Sequence, residues 1–243
     1  MRSTLRRFAL KNGTAKAPSV KCFFDNSTNT AQYVVSCANT KKAVVIDPVL
    51  EYNLANGITK TESADTILEY LKQEDLSVKY LLETHIHADH LTAACYLKQE
   101  LSRIQEEKPM TCISKHVTIV QKEFSRIYSL DMKCDGSQFD QLLNGNDSIT
   151  AGELELSIIE TPGHTPACIS YLVNGNCIFV GDTLFMPDSG TARCDFPGGS
   201  AEAMWESLQK ILSLPDETKV YICHDYLAGG KREKFQWETN IGE

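Results

Sequence analysis

The chain of 243 residues lacks any apolar run of membrane-spanning length, any low-complexity tract and any internal repeat. These absences argue against a membrane span, a fibrous architecture and a repeat protein. What remains is an ordinary globular composition, with 42% hydrophobic and 23% charged residues. A chain of this length can bury a sizeable core, so we expect one compact α/β domain.

Positive charge is also scarce. The 24 Lys and Arg residues stand against 32 Asp and Glu residues, which gives a net charge of −8 and a pI near 5.3. Nucleic-acid phosphates call for a basic stripe rather than an acidic surface. We therefore expect no nucleic-acid partner, and any anionic substrate must be met by a local cation.

The start of the chain has no acidic residue before Asp25, although six Arg and Lys residues precede it among several Ser and Thr residues. This composition is typical of an organelle-targeting presequence. We predict such a presequence, or a disordered tail, over residues 1–20, a domain over residues 21–243, and the mitochondrial matrix as the location, with the cytoplasm as the alternative. Residues 20–24 already resemble a strand, so the domain could also begin earlier.

No Cys-x-x-Cys pair occurs among the nine cysteines, and their number is odd. Both observations argue against a disulfide framework. Most of the cysteines lie in apolar runs, where cysteine behaves as a small buried hydrophobe. We expect reduced thiols, in agreement with a cytosolic or matrix compartment.

Hydrophobic periodicity predicts alternating strands and helices. A polar stretch at residues 37–40 predicts a hairpin turn between the first two of the clearest strands. The predicted strands are 32–36, 42–46, 78–82, 154–159, 176–180 and 219–223, and the predicted helices are 63–73, 91–104 and 203–214. The apolar face of the last helix would consist of Met204, Leu208 and Leu212. The helix after residue 90 would carry the last residues of a histidine cluster in its opening turn.

Five of the six histidines follow the ends of predicted strands. They occur in Thr84-His85-Ile86-His87-Ala88-Asp89-His90, in Thr161-Pro162-Gly163-His164-Thr165 and in Cys223-His224-Asp225, and Gly181-Asp182-Thr183 adds a carboxylate in an equivalent place. Imidazole and carboxylate are ligands that hold Zn, Fe or Mn in reactive sites. Strand ends can bring such ligands together on a rigid platform. The sequence therefore predicts a metal centre.

The chain resembles the metallo-β-lactamase superfamily through the His-x-His-x-Asp-His string at residues 85–90, followed by separate His164, Asp182 and His224. This resemblance covers roughly residues 20–230. It implies an α/β fold, the four-layer αβ/βα sandwich, in which two sheets pack face to face and helices cover both outer faces.

Within that superfamily, the chain is similar to the persulfide dioxygenase branch. The similarity lies in the segments 46–50, 85–92, 162–166, 182–190 and 191–196. It implies oxidation of glutathione persulfide by O2 to sulfite and glutathione at one Fe(2+) per chain. The iron ligands carried over are His85, His164 and Asp182. Two histidines and one carboxylate leave open positions for a persulfide sulfur and O2.

A dinuclear arrangement is the main alternative, because the remaining ligands of the superfamily are also present. His87 would join His85 and His164 on one ion, Asp182 would bridge, and the second-site candidates are Asp89, His90 and His224. Two Zn(2+) ions would then activate a hydroxide for thioester or lactone hydrolysis, as in the similar glyoxalase II enzymes. A non-enzymatic scaffold would be expected to lack ligands, and none of the seven is missing.

Four further side chains are candidates for roles around the metal. Arg193 offers a planar guanidinium for a glutathione carboxylate, with an ion pair to Asp188 or Asp195 as the alternative. Tyr226 could bind substrate through its hydroxyl or pack under its loop, and we take Asp89 and Tyr226 as the catalytic candidates. We expect Asp195 to orient a metal-bound histidine.

Three residues near these patterns are assigned structural roles. Cys168 and Cys194 lie beside the motifs, and we expect them to be buried thiols rather than nucleophiles. His116 lies outside the pattern and is expected at the surface. The persulfide dioxygenase family normally continues for several tens of residues beyond the stretch 237–243, so the resemblance leads us to expect a truncated C-terminal end that weakens thiol-substrate binding. The family also suggests a homodimer.

Overall fold

The computed structural model describes residues 17–228, 230 and 232–243. Most of the predicted presequence, residues 1–16, lies outside these described residues. The first strand begins at Ser19 and runs to Asp25, so residues 19 and 20 belong to a sheet. The boundary predicted after residue 20 therefore falls inside this strand.

The described residues form fifteen strands and four α-helices. In chain order the strands are β1 Ser19–Asp25, β2 Thr30–Ser36, β3 Lys42–Ile46, β4 Val49–Tyr52, β5 Thr59–Lys60, β6 Ser77–Leu82, β7 Leu91–Thr92, β8 Met110–Ser114, β9 Gln141–Leu143, β10 Ser148–Ala151, β11 Leu154–Glu160, β12 Ile169–Val173, β13 Cys177–Phe179, β14 Lys219–Tyr221 and β15 Glu238–Asn240. The helices are α1 Glu62–Gln73, α2 Ala94–Ile104, α3 Val117–Tyr128 and α4 Ala201–Ile211, and a 3-10 turn spans Gly181–Thr183.

Two six-stranded sheets organise the fold. The first has the order β1-β2-β3-β6-β8-β9 and the second the order β10-β11-β12-β13-β14-β15, while β5, β4 and β7 form a small third sheet. Strands β1, β2 and β3 pair antiparallel, whereas β3, β6, β8 and β9 run parallel. Parallel neighbours need crossover connections, and the segments that contain α1, α2 and α3 supply them.

Alternating side chains of β2 and β3 separate two apolar layers. Tyr33 and Val35 point toward the second sheet and join the core between the sheets, whereas Val34 points outward to α1 and α2. A third cluster packs Ile211 of α4 against the outer face of the second sheet, including Ile178. The resulting order of helix, sheet, sheet and helix confirms the predicted αβ/βα sandwich.

The segment after the histidine cluster differs from the prediction. Leu91–Thr92 pairs antiparallel with Val49–Leu50, and α2 begins only at Ala94. The predicted opening turn is therefore not helical. The Thr92 hydroxyl accepts a hydrogen bond from the Ala94 N–H (3.0 Å), so the chain turns before the helix starts. As a result Leu91 is exposed, and the histidines lie in a loop.

The buried face of α4 is also shifted from the predicted one. Met204 is buried as expected, but the other residues of that face are Ser207 and Ile211, and Leu212 is 48% exposed. The Ser207 hydroxyl donates a hydrogen bond to the Pro162 carbonyl (2.7 Å). A small polar residue is accommodated there because its hydroxyl has a partner.

Hydrogen bonds join the two sheets where their strands end. The Ala31 N–H donates to the Cys223 carbonyl (2.7 Å), and the Ile169 N–H donates to the Thr84 carbonyl (2.9 Å). The buried Tyr171 hydroxyl donates to the Glu83 carbonyl (2.8 Å). These contacts fix the relative position of the segments that follow β6 and β14.

Every cysteine is a free thiol in the structure, and five of the nine are buried. The prediction of buried small hydrophobes is correct for these five, whereas Cys95 is exposed. In the part of the chain that the structure describes, no helix combines the length and apolar character needed to cross a membrane.

Leu97→Ala should lower the free energy of unfolding by about 3 kcal/mol, because it leaves a cavity between α2 and the first sheet. Leu97 is fully buried. The matched control is Leu54→Ala, at a leucine that is 89% exposed, and this change should cost under about 0.5 kcal/mol. Urea unfolding of both variants is the measurement. Equal effects would contradict the assignment of this core.

Candidate metal centre

The candidate ligands follow four strand ends that belong to both sheets. His85 follows β6 of the first sheet, while His164, Asp182 and His224 follow β11, β13 and β14 of the second. Each of these strands leads into a candidate ligand, as the sequence predicted. The ligands converge where the two sheets meet, rather than on one edge of a single sheet.

Two glycines allow the ligand segments to approach so closely. A Cβ on Gly163 would lie 2.5 Å from the Met204 Cα, and a Cβ on Gly181 would lie 2.6 Å from the Thr84 Oγ1. Gly181 also has a φ of +53°, in the left-handed region that disfavours other residues. Glycine is therefore required next to both His164 and Asp182.

His85, His164 and Asp182 form one wholly buried group whose ligand atoms all lie within 4.8 Å of one another. The Asp182 Oδ2 lies 3.7 Å from the His85 Nε2 and 3.6 Å from the His164 Nε2. These are the three residues predicted as iron ligands, and the structure brings them together. We call them the buried triad.

The other candidates gather beside the triad. The His224 Nε2 lies 3.4 Å from the Asp182 Oδ1 and 3.6 Å from the Asp89 Oδ2. His87, Asp89 and His90 form a separate group. Asp182 therefore presents one oxygen to each side, as a bridging carboxylate would.

Buried polar atoms without a hydrogen-bond partner mark the centre. Among the described residues six side-chain atoms have this property, and four of them belong to predicted ligands: His87 Nδ1, His90 Nε2, Asp182 Oδ1 and His224 Nε2. Leaving such atoms unpaired in a protein interior is costly. A cation coordinated by them would remove that cost, so the donor set fits a metal ion.

The second ring nitrogen of four ligand histidines is held by a neighbour. The hydrogen bonds run from His85 Nδ1 to Thr84 Oγ1 (2.9 Å), from His90 Nδ1 to the Leu91 carbonyl (3.0 Å), from His164 Nδ1 to the Arg193 carbonyl (2.8 Å), and from His224 Nδ1 to the Asn29 carbonyl (3.3 Å). Such bonds fix the tautomer and orient the free nitrogen toward a metal.

Asp47 holds the remaining histidine and much of the loop. Its carboxylate accepts hydrogen bonds from the Thr84 N–H (2.7 Å) and the Thr84 hydroxyl (2.8 Å), and its Oδ1 lies 3.2 Å from the His87 Nε2. The Glu83 Oε2 lies 3.2 Å from the same His87 nitrogen. Because Thr84 in turn accepts from His85, the single Asp47 carboxylate orients two histidines.

Burial and two neighbouring carboxylates shift the pKa values of the clustered histidines in opposite directions. Burial lowers the pKa of His85 well below the usual value, and the surrounding histidines add to this effect. Burial likewise lowers the pKa of His90 to about 4, with His87 as the next cause. Both rings are therefore neutral near pH 7, which is the form that binds a metal. Burial alone would lower the pKa of His87, but Asp47 and Glu83 raise it well above its usual value.

A cleft of about 490 Å³ leads to the triad. It is lined by Ala88, Asp89, His164, Asp182, Phe185, Thr191, Ala192, Arg193, Phe196 and Tyr226. Arg193 is largely exposed, with its guanidinium carbon 4.6 Å from the centre of the Phe196 ring. The Tyr226 ring stacks on His224, with 5.5 Å between the ring centres. Both predicted substrate-binding residues therefore border the cleft.

The prediction that Asp195 orients a metal-bound histidine is wrong. Asp195 is exposed and pairs with Arg193 (Nε to Oδ1, 2.5 Å). The nearby His164 Nδ1 is already occupied by the backbone carbonyl of Arg193. The carboxylates that do contact a histidine's orienting nitrogen are Asp47 and Glu83. Asp188 and Asp195 were the two expected ion-pair partners of Arg193, and in the structure Arg193 pairs with Asp195.

Arg232 connects the segments that follow two of the ligands. Its guanidinium donates to both oxygens of Asp188 (2.8 Å each) and to both oxygens of Asp225 (2.6 and 2.8 Å). Asp188 lies beyond Asp182, and Asp225 directly follows His224. A planar donor fork suits this double bidentate contact. Arg232 therefore holds two ligand-bearing loops at a fixed distance.

The residues assigned structural roles behave largely as expected. Cys168 is buried, and burial raises the pKa of its thiol to about 12, which argues against a nucleophilic role. Cys194 is half-buried, and burial raises the pKa of its thiol too. His116 is partly exposed and contacts Glu160 (3.2 Å), far along the chain from the ligands.

A model of the metallo-beta-lactamase superfamily matches residues 27–224, so the chain belongs to this superfamily. Its relatives carry different functional names. A "Beta-lactamase hydrolase-like protein" of Agrobacterium fabrum is 48% identical over 96% of this chain, and the chain spans only about half (52%) of that protein's length. "Glyoxylase B2" of Dictyostelium discoideum is 47% identical over 85% of this chain and 70% of its own length.

The persulfide dioxygenase branch is supported by more distant similarity. The mitochondrial persulfide dioxygenase ETHE1 of Bos taurus is 29% identical over 91% of this chain and 74% of its own length. The crystal structure of ETHE1 from Myxococcus xanthus superimposes with a TM-score of 0.71 at 29% identity, covering 92% of this chain and 80% of that one. The fold and the branch resemblance expected from the motifs are thus confirmed.

Asp47→Asn should weaken metal binding by about 10- to 100-fold, because a residue that orients two ligands loses its charge. Asparagine tolerates the left-handed backbone of Asp47, whose φ is +50°, so the fold should persist. Chelator competition measures the metal affinity. The control is Asp135→Asn, at an exposed carboxylate in a distant loop, and unchanged affinity in both variants would contradict the role of Asp47.

Arg232→Gln should destabilise the protein by about 2 kcal/mol, since it leaves the buried Asp225 carboxylate without its cation. Arg126→Gln breaks an exposed pair with Glu123 and should change stability by at most about 0.5 kcal/mol. Thermal unfolding of the two variants compares them directly. If both unfold alike, Arg232 does not clamp the loops.

Proposed function

We propose that the protein is an iron-dependent persulfide dioxygenase that oxidises glutathione persulfide. The observation that carries this proposal is the buried triad of His85, His164 and Asp182, in which two imidazoles face one carboxylate oxygen. Two histidines and one carboxylate are the typical ligands of non-haem Fe(II) oxygenases. The sequence likeness to persulfide dioxygenases supports the same assignment.

When bound by the triad, Fe(II) would supply redox chemistry and open positions for two co-substrates. In the overall reaction, glutathione persulfide takes up one O2 and one water and yields glutathione, sulfite and protons. The outer sulfur is oxidised, O2 is reduced, and the sulfur–sulfur bond breaks. A persulfide is largely ionised, so the reaction needs no dedicated protein base.

The residues of the cleft would bind and orient the persulfide. Arg193 exchanges its exposed partner Asp195 for a glutathione carboxylate, which it can meet with a bidentate pair. An exposed ion pair contributes little stability, so breaking it for this exchange requires little free energy. Phe185 and Tyr226 provide apolar walls that exclude water from the reacting sulfur, and the Tyr226 hydroxyl can donate a hydrogen bond to it. We place Asp89 at the edge of the site, where its carboxylate holds the His224 side of the cluster.

A dinuclear hydrolase is the second candidate. The second donor group, with His224 close to both Asp182 and Asp89, favours it, as do the names of the relatives at 47–48% identity. Two Zn(2+) ions in that set would generate a hydroxide for thioester cleavage. The mitochondrial matrix remains the proposed location of the dioxygenase, with the cytoplasm as the alternative.

Metal analysis of anaerobically purified protein, together with O2 uptake on glutathione persulfide and hydrolysis of S-lactoylglutathione, tests the proposal. We expect about one iron per chain and persulfide-dependent O2 uptake. Two zinc ions per chain, thioester cleavage and no O2 uptake would instead establish the hydrolase.

A matched pair of variants separates the two sites. His164→Ala should abolish iron binding and O2 uptake together, since it removes a ligand of the triad. His90→Ala removes a ligand of the second group only, so the iron content should stay near that of the unchanged protein. Loss of half the bound metal in His90→Ala would contradict a mononuclear site.

A further inference from the structure

A second, much smaller cavity adjoins the metal centre. Its volume is about 50 Å³, against about 490 Å³ for the cleft. We call it the side pocket, and its lining comprises Ile86, Ala88, Val120, Phe124, Phe196 and Pro197 together with His87, His164 and Thr165. A cavity needs roughly 10–15 Å³ to hold one water molecule, so the side pocket holds only very small molecules.

The side pocket offers few free polar groups. The Thr165 hydroxyl contacts the Cys168 thiol (3.1 Å) and accepts from the Ala167 N–H (3.2 Å). The His164 Nδ1 donates to a backbone carbonyl, and the His87 Nε2 is held by Asp47. Of the lining side chains, only His87 has a buried polar atom without a hydrogen-bond partner among the described residues, its Nδ1. A buried water needs two to four polar partners, whereas cavities with apolar walls stay dry and take up apolar molecules.

Helix α3 supplies one wall of the side pocket. Val120 and Phe124 are four residues apart, so they lie on the same face of the helix. Val120 is buried, at 4% exposure. Neither residue belongs to the histidine motifs, and the metal centre as described above makes no use of them.

The side pocket and the cleft meet at His164, one residue of the triad. They share Ala88, His164 and Phe196, whose ring packs edge-on against His164 with 5.0 Å between the ring centres. The polar groups that suit an anionic peptide, Arg193 and Tyr226, line the cleft alone. The two spaces thus differ in size and polarity but reach the same histidine.

We propose that the side pocket is the binding site through which O2 reaches the metal centre, while the persulfide enters by the cleft. This inference rests on the proposed dioxygenase function. O2 is a small apolar molecule and fits the apolar walls, whereas a glutathione-sized anion exceeds the volume. Separate entry lets O2 approach after the persulfide has filled the cleft.

Xenon pressurisation of crystals of the metal-loaded protein tests the pocket without turnover. We expect xenon density among Ile86, Val120 and Phe124. An empty side pocket under xenon would overturn the inference and leave the proposed function intact. If xenon binds but the protein cleaves S-lactoylglutathione and takes up no O2, the proposed dioxygenase function fails. The assignment of the side pocket to O2 then fails with it.

Val120→Phe fills the pocket and should remove the xenon site while raising the KM for O2 by about threefold or more. Its iron content and its KM for glutathione persulfide should not change. Ile119→Phe is the control, because this residue of the same helix is 43% exposed and does not line the pocket. If the larger ring of Val120→Phe prevents folding, Val120→Ile replaces it in the test. This variant adds a single methylene and should raise the KM for O2 by a smaller factor. An unchanged KM for O2 in a variant without xenon density would overturn the inference.

Discussion

The buried carboxylate of Asp47 is the constraint on which the histidine cluster depends. It receives two hydrogen bonds from Thr84 and contacts His87, and through the Thr84 hydroxyl it also orients His85. A charge in this position is stable only because each oxygen has a donor. Asp47 directly follows β3 and its N–H donates to the Leu82 carbonyl at the end of β6, so the sheet fixes the position from which it orients the two histidines. The left-handed backbone at this residue is the strain that such a position requires.

The other candidate histidines share one arrangement. One ring nitrogen is hydrogen-bonded to the protein, and the other is free. Backbone carbonyls of Asn29, Leu91 and Arg193 perform for three histidines what Asp47 performs for His87. The free nitrogens therefore converge before any ion arrives, and binding requires little rearrangement. Arg232 adds a second restraint from outside the centre by joining Asp188 to Asp225. Stability and metal affinity are consequently coupled in this fold.

The strands and the ligand set could be predicted because both are local patterns. Val, Ile and Leu runs identify β2, β3, β6 and β11, and the histidine motifs follow strand ends directly. The partners of the ligands could not be predicted in this way. Asp47 contacts Thr84 from 37 residues away along the chain, and only the completed sheet brings them together. Asp195 failed as a prediction because the backbone carbonyl of Arg193 already occupies the ring nitrogen of His164 that a carboxylate would have to contact.

The position of the centre between two sheets also bears on how the protein folds. Its donors extend from His85 to His224, so most of the chain must be in place before the full set exists. Closing such long loops has an entropic cost that must be met before the contacts form, and folds of this kind assemble slowly. An ion added early would find only the local cluster at residues 85–90. We therefore expect a metal ion to complete its full donor set late in folding, after both sheets have formed, rather than to nucleate folding.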